Sequence, residues 1–357
     1  MTGRRIGGSL TLTLAVVLVV AACSGAGGDT TTPPAAATTV ASPSGDACSL
    51  VSSDLVKCSL DAYPDRPYLA YLPPGHDPAE PGAAIVALHG GSGDALAALR
   101  VTCPGGNLTA DGCLHRLGDT AGFITIAPNG AARRLTPNVR TWNAGGGAAQ
   151  WHCVSGFACR EDSDDVAYVD AVLDDVAQWT VIDDRRVYAV GLSNGGAMAH
   201  RLACERAGRF AAIATVGSAN QFSTTADCLP VRSLSVMHIH GTADPCWTYV
   251  TTETACLDSG GAKLGADESV AGWVTRNGCT LEPTTQRLPD TADDGTVTDR
   301  STWKGCEDDT EVQLLRIVGG GHTWPGGFAY RPEESVGRVA SDFGNEVIWG
   351  FLSAWRR

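Results

Sequence analysis

Ser193, Asp244 and His322 are the residues whose types and order in this chain suit nucleophilic chemistry. Ser193 lies in Gly191-Leu192-Ser193-Asn194-Gly195, after the apolar run 187–190 and before the helical pattern 197–202. A serine hydroxyl is a poor nucleophile until a base removes its proton, and that base works best when a carboxylate orients it. Asp244 follows the run 236–240 (Val-Met-His-Ile-His) through Gly-Thr-Ala, and His322 follows the run 314–318 through three glycines. Both therefore read as loop residues just past a strand end. Asp165, Asp258 and Asp267 are rivals for the acid, but none follows a strand in the right place. Serine, acid and base in this order point to acyl transfer through a covalent serine intermediate. The charge developing on the carbonyl oxygen needs backbone N–H groups aimed at it. The residue after the serine, Asn194, supplies one; Leu88-His89-Gly90-Gly91-Ser92-Gly93 supplies the other, with Gly91 preferred over Ser92. His89 reads as a structural residue of that turn. His238 and His240 share one face of a strand, yet without a third ligand they make no metal site, and the chemistry calls for no cofactor.

The elements that must hold these residues are short β-rich runs at 68–72, 84–88, 123–127, 186–190, 212–216, 235–240 and 313–318, each bounded by glycine, proline or polar residues. Several are almost continuously apolar, as strands of a parallel sheet covered on both faces are. Helical patterns lie between them. The clearest places Val166, Val169, Val172, Leu173, Val176 and Trp179 on one face behind Ser163 as N-cap, and others span about 267–276 and 342–355. Strands alternating with helices predict a doubly wound, mostly parallel sheet with helices on both faces. A serine on a sharp strand-to-helix turn within that architecture is the nucleophile elbow of an α/β-hydrolase fold. The segment 246–304 breaks the alternation and is expected to shape the substrate cleft.

Composition narrows the function further. The 357 residues carry a net charge of −13 with only 26 Lys+Arg, so no basic stripe exists to bind nucleic acid. Arg4 and Arg5 precede an apolar run at 10–20 that is short for a membrane span. Val20-Ala21-Ala22-Cys23 then resembles a bacterial lipobox, which implies a signal peptide over 1–22 and lipidation of Cys23. Residues 23–47 read as a flexible tether to the membrane, and 48–357 as one catalytic domain. Twelve cysteines remain of thirteen, an even number suited to an oxidising compartment. Their spacing suggests the local pairs Cys48–Cys58, Cys103–Cys113, Cys153–Cys159, Cys204–Cys228, Cys246–Cys256 and Cys279–Cys306.

Six motifs taken together resemble the extracellular polyhydroxybutyrate depolymerase and feruloyl esterase family, and some mycobacterial-type lipoprotein esterases are similar. They are Leu88-His89-Gly90-Gly91, Pro128-Asn129-Gly130, Arg140-Thr141-Trp142-Asn143-Ala144-Gly145, Asp165-Val166, the stretch 191–198 and the stretch 320–327. The resemblance runs over roughly 66–357. It implies a secreted serine esterase without cofactor, with Ser193, Asp244 and His322 as triad, acting on polyhydroxybutyrate-type, feruloyl or acetyl esters. It also implies that Cys279 and Cys306 pair. An acyltransferase, a serine peptidase and a non-catalytic surface-binding lipoprotein are the alternatives on the same fold. Trp142 and Trp324, inside the shared motifs, are candidates to line the substrate pocket. The chain departs from the family in a longer 146–160 and in the Cys246–Cys256 segment, both expected to border the cleft.

Overall fold

The computed structural model describes residues 48–154, 156–253, 261–280 and 282–357. The signal-like segment, Cys23, Cys256 and Asp258 lie outside the described residues. Eleven of the described strands form one sheet: β1 (Cys48–Leu50), β2 (Leu55–Leu60), β3 (Tyr63–Tyr71), β4 (Gly82–Leu88), β5 (Phe123–Pro128), β6 (Ile182–Leu192), β7 (Ala212–Val216), β8 (Ser235–Gly241), β9 (Thr284–Arg287), β10 (Val297–Trp303) and β11 (Val312–Val318). Their order is β1-β2-β3-β5-β4-β6-β7-β8-β11-β10-β9. The central strands β5, β4, β6, β7, β8 and β11 run parallel, and antiparallel strands extend both edges. This is the α/β-hydrolase fold.

The central strands carry apolar residues on both sides because both faces are covered. Along β4, Ala84, Val86 and Leu88 join one core, while Ala83, Ile85 and Ala87 join the other. Helices α3 (Asp165–Val176), α4 (Asn194–Glu205) and α5 (Ala266–Arg276) pack on the first face. Helices α1 (Ala95–Val101), α2 (Leu114–Ala121) and α6 (Asn345–Ser353) pack on the second. The cap of α3 is Asp164 rather than Ser163: its carboxylate accepts from the Ala167 N–H at 3.0 Å. Either residue type caps well, so composition alone could not separate neighbours.

Four tryptophans are fully buried, and each indole N–H finds an acceptor, as buried donors must. Trp142 reaches His89 O at 3.0 Å, Trp247 reaches Leu264 O at 2.8 Å, Trp273 reaches His200 Nδ1 at 2.9 Å and Trp324 reaches Asn345 Oδ1 at 2.8 Å. Truncating such a side chain costs about 3–5 kcal/mol. Disulfides join Cys48–Cys58, Cys103–Cys113, Cys153–Cys159, Cys204–Cys228 and Cys279–Cys306.

The segment 246–304 differs from expectation. Its latter half is the β9–β10 hairpin, which lengthens the sheet, and only Cys246 and Lys263 of its described residues line the cleft. Nor do the described residues of 146–160 reach the cleft. They pack instead on the Ala262–Lys263 strand, where His152 N–H donates to Ala262 O at 2.9 Å.

Candidate active site

β6 ends at Leu192 and α4 begins at Asn194, so Ser193 alone reverses the chain. It does so at φ 58°, ψ −124°, a region that residues with a side chain seldom occupy. Its neighbours hold it there: the Ser193 N–H donates to Val216 O at 2.9 Å, and its carbonyl accepts from Ala197 N at 2.9 Å. The first turn of α4 lies directly on the end of β4. A Cβ at position 195 would come within 2.2 Å of Leu88 O, so the close approach requires glycine there. Ser193 is left half-buried at the wall of a cleft.

Asp244 stands three residues beyond β8, and its side chain is wholly buried. A buried carboxylate needs partners for both oxygens. Oδ1 accepts from the N–H groups of Cys246 (2.8 Å) and Trp247 (2.7 Å). Oδ2 lies 2.7 Å from His322 Nδ1. Because an ionised carboxylate only accepts, Nδ1 of His322 carries the proton and Nε2 is left bare, able to take one. Gly217, at φ +53°, passes directly beneath this pair: a Cβ there would lie 3.0 Å from His322 Nδ1 and 3.3 Å from Asp244 Oδ2. The backbone of His322 is anchored by Tyr330, whose hydroxyl donates to His322 O at 3.1 Å. Ser193 and His322 line the same cleft, of about 710 Å³, together with Gly90, Gly91 and Tyr330. No hydrogen bond joins the two side chains here; such contacts often tighten only when substrate enters.

In the glycine loop after β4 the two candidate N–H groups, those of Gly91 and Ser92, differ in their partners. The Ser92 N–H is engaged, donating to Arg140 O at 2.8 Å, whereas the N–H groups of Gly91 and Asn194 have no acceptor among the described residues. Asn194 opens α4, where the first-turn N–H groups have no intrahelical partner. His89 shapes this loop from within. Gly130 N–H donates to its Nε2 at 2.9 Å, so Nδ1 bears the proton and donates to Gly90 O at 2.8 Å.

Trp142 and Trp324 are placed otherwise than expected. Each is at most 1% exposed, and neither lines the cleft. Trp142 is a strut: its indole holds His89 O, its N–H donates to Asn194 Oδ1 at 2.7 Å, and Asn194 Nδ2 returns to Trp142 O at 3.0 Å. One residue thus ties together both loops that carry the open N–H groups. Trp324 instead packs in the core on the α6 face. Asp165, a rival for the acid, is buried in support of this strut. It pairs with Arg66 at 2.5 Å and accepts from the Asn143 N–H at 2.5 Å. Asp267 is a surface partner of Tyr249. Sequence reasoning missed Tyr330, Arg100, Phe328, Lys263 and Arg331 as cleft residues, since no motif marks them.

No family model matches the chain. Among curated proteins it is 27% identical over 290 residues to feruloyl esterase C of Emericella nidulans, covering 81% of this chain and 84% of that one. The chain is an α/β-hydrolase similar to feruloyl esterases. NocK of Nocardia uniformis, a protein named as an esterase, is 35% identical over 183 residues, and feruloyl esterase B of Piromyces equi is 26% identical over 189. These two matches cover 48% and 52% of this chain. The chain spans about half the length of NocK (53%) and a third of the Piromyces protein (32%). Among solved structures, an acetyl xylan esterase from Aspergillus awamori superposes with a TM-score of 0.46 at 16% identity, over 72% of this chain and 89% of that one.

Burial depresses the pKa of the interior histidines, since a charged imidazole would lose its hydration. His89 falls to about 4, His200 to about 3, and His238 well below 6.5. In the unfolded chain these groups bind protons below about pH 6.5. Between that value and the folded pKa values the unfolded state therefore holds more protons, and stability declines with falling pH. The melting temperature should be level above pH 7 and drop steadily from pH 6.5 to 4. A thermal-denaturation series across that range checks this, and a melting temperature that rises on acidification would contradict it.

Proposed function

We propose that the chain is a serine carboxylesterase with Ser193 as nucleophile, His322 as base and Asp244 as the acid that orients it. His322 Nε2 takes the Ser193 hydroxyl proton as the oxygen attacks the ester carbonyl. The N–H groups of Gly91 and Asn194 receive the charge that develops on the carbonyl oxygen. The imidazolium, steadied by Asp244, gives its proton to the departing alcohol and leaves an acyl-enzyme. Water, deprotonated by the same imidazole, then releases the acid. The observation that carries this reading is the conjunction of a strained serine with a buried His–Asp pair at one cleft, with the open N–H of Gly91 in its lining. Similarity to feruloyl esterases supports an ester of a carboxylic acid as substrate. Feruloyl, acetyl and polyhydroxybutyrate-type esters fit the reading, and no step calls for a cofactor or a metal.

The cleft refines the substrate. Its volume suits a ligand of small-molecule size. Val101, Leu192, Phe328 and Tyr330 give it an apolar side, while Arg100, Lys263 and Arg331 are the formally charged residues among the described residues of its lining, none of which is acidic. In a chain of net charge −13, this local excess of cations favours an ester with a negative group on its acyl part, such as a carboxylate-ended hydroxyacid oligomer. Five disulfides among the described residues support folding in an oxidising compartment outside the cytoplasm. Secretion with a lipid on Cys23 completes the proposal.

Ser193→Ala should lower hydrolysis of p-nitrophenyl butyrate by at least about 10³-fold with an unchanged circular dichroism spectrum; turnover at the wild-type rate removes Ser193 from the mechanism. For selectivity, kcat/KM for p-nitrophenyl hemisuccinate should exceed that for p-nitrophenyl butyrate, and the ratio should shrink with added salt. A preference for the neutral ester at low salt contradicts the cationic cleft.

A further inference from the structure

Behind the acid lies a buried row of polar side chains that the hydrolytic steps do not use. Trp273 on α5, His200 on α4, Thr215 on β7 and His238 and His240 on β8 are each at most 1% exposed. The contacts run Trp273 Nε1 to His200 Nδ1 at 2.9 Å, His200 Nε2 to Thr215 Oγ1 at 3.1 Å and Thr215 Oγ1 to His238 Nδ1 at 3.5 Å. They continue from His238 Nε2 to His240 Nδ1 at 3.2 Å and from His240 Nε2 to Trp247 O at 2.6 Å.

The direction of every bond follows from the two ends separately. An indole N–H can only donate, so His200 Nδ1 is bare and its Nε2–H passes on to Thr215, whose hydroxyl proton passes to His238 Nδ1. From the other end, a carbonyl can only accept, so His240 carries its proton on Nε2 and its Nδ1 accepts from His238 Nε2. Both derivations give the same tautomer for all three rings. Burial keeps the rings neutral, as a single proton per imidazole demands. The row ends at the acid turn. His240 Nε2 holds the carbonyl of Trp247, whose N–H binds Asp244 Oδ1, and the same Nε2 lies 3.5 Å from Asp244 Oδ2.

We propose that His240 is a positioning residue for Asp244, with its tautomer dictated from Trp273 through His200, Thr215 and His238. The row fixes the turn 244–247 through the Trp247 carbonyl, and the N–H of Trp247 in that turn binds Asp244 Oδ1, so that Oδ2 faces His322 Nδ1 in one orientation only. It links α4, which opens at the nucleophile, to the loop of the acid, through the interior rather than across the cleft. This inference rests on the reading of Ser193, Asp244 and His322 as a triad.

The test uses the full chain with p-nitrophenyl butyrate, and proton NMR of the deshielded His322 Nδ1–H as a second readout. His240→Phe should lower kcat about 10- to 100-fold, the scale of leaving the buried Trp247 carbonyl beside the acid without its donor, with KM within about twofold. His240→Gln keeps an N–H able to reach the Trp247 carbonyl and should recover most of that loss. Trp273→Phe frees the far end, should lower kcat about threefold, and should add nothing in the His240→Phe background, because members of one network are not additive. An unchanged kcat in His240→Phe, an equal loss in His240→Gln, or multiplied losses in the double variant overturns the proposal. Should Ser193→Ala hydrolyse as well as wild type, the triad reading fails on its own. The NMR arm still decides the positioning claim: a His322 Nδ1 proton signal unmoved by His240→Phe overturns it.

Discussion

A carboxylate taken fully out of water must find a partner for every lone pair it exposes, and this constraint on Asp244 organises the site. Its side chain has no exposure, so one oxygen rests on the N–H groups of Cys246 and Trp247 and the other meets His322. An unpaired buried charge costs several kcal/mol, so neither contact is optional. The consequence is chemical. With Nδ1 of His322 committed to Asp244, the ring has one tautomer, and its Nε2 is the nitrogen without a proton. The turn after β8 and the glycine beneath the pair at Gly217 are what keep that carboxylate satisfied.

Opposite the acid, the nucleophile side is built on backbone proximity rather than charge. Leu88 O lies so near the start of α4 that only a glycine fits at 195. Trp142 bolts this arrangement with one indole and one amide contact to either loop. Asp165 and Arg66 in turn hold the stretch that carries Trp142. The two halves of the site thus depend on different physics, electrostatic satisfaction on one side and close packing on the other, and the parallel strand ends of the sheet bring them together.

Much of this was legible in the sequence because turn chemistry and strand endings leave local marks. The Gly-x-Ser-x-Gly turn after an apolar run marks Ser193, and the short loops after β8 and β11 mark Asp244 and His322. The central strands were readable as apolar runs. Edge strands were not: β9, Thr-Thr-Gln-Arg, is exposed along its whole length, so its polarity reads as loop. The roles of Trp142 and Trp324 were misjudged because a tryptophan near a motif can equally line a cleft or brace it, and only its burial tells which. Ser92 fell away for a reason no local pattern carries, its amide being taken by Arg140, which is 48 residues distant in the chain. The cations of the cleft come from α1, from the Ala262–Lys263 strand and from Arg331, far apart in the chain, and gather only on folding.

The most direct measurement is covalent trapping. The protein is incubated with a fluorophosphonate ester at neutral pH, digested, and searched by mass spectrometry for modified peptides. One adduct, on the hydroxyl of Ser193, and none on that site in an Asp244→Ala variant treated for the same time, is the result this account predicts. No adduct, or adducts spread over other serines with Ser193 untouched, would contradict it.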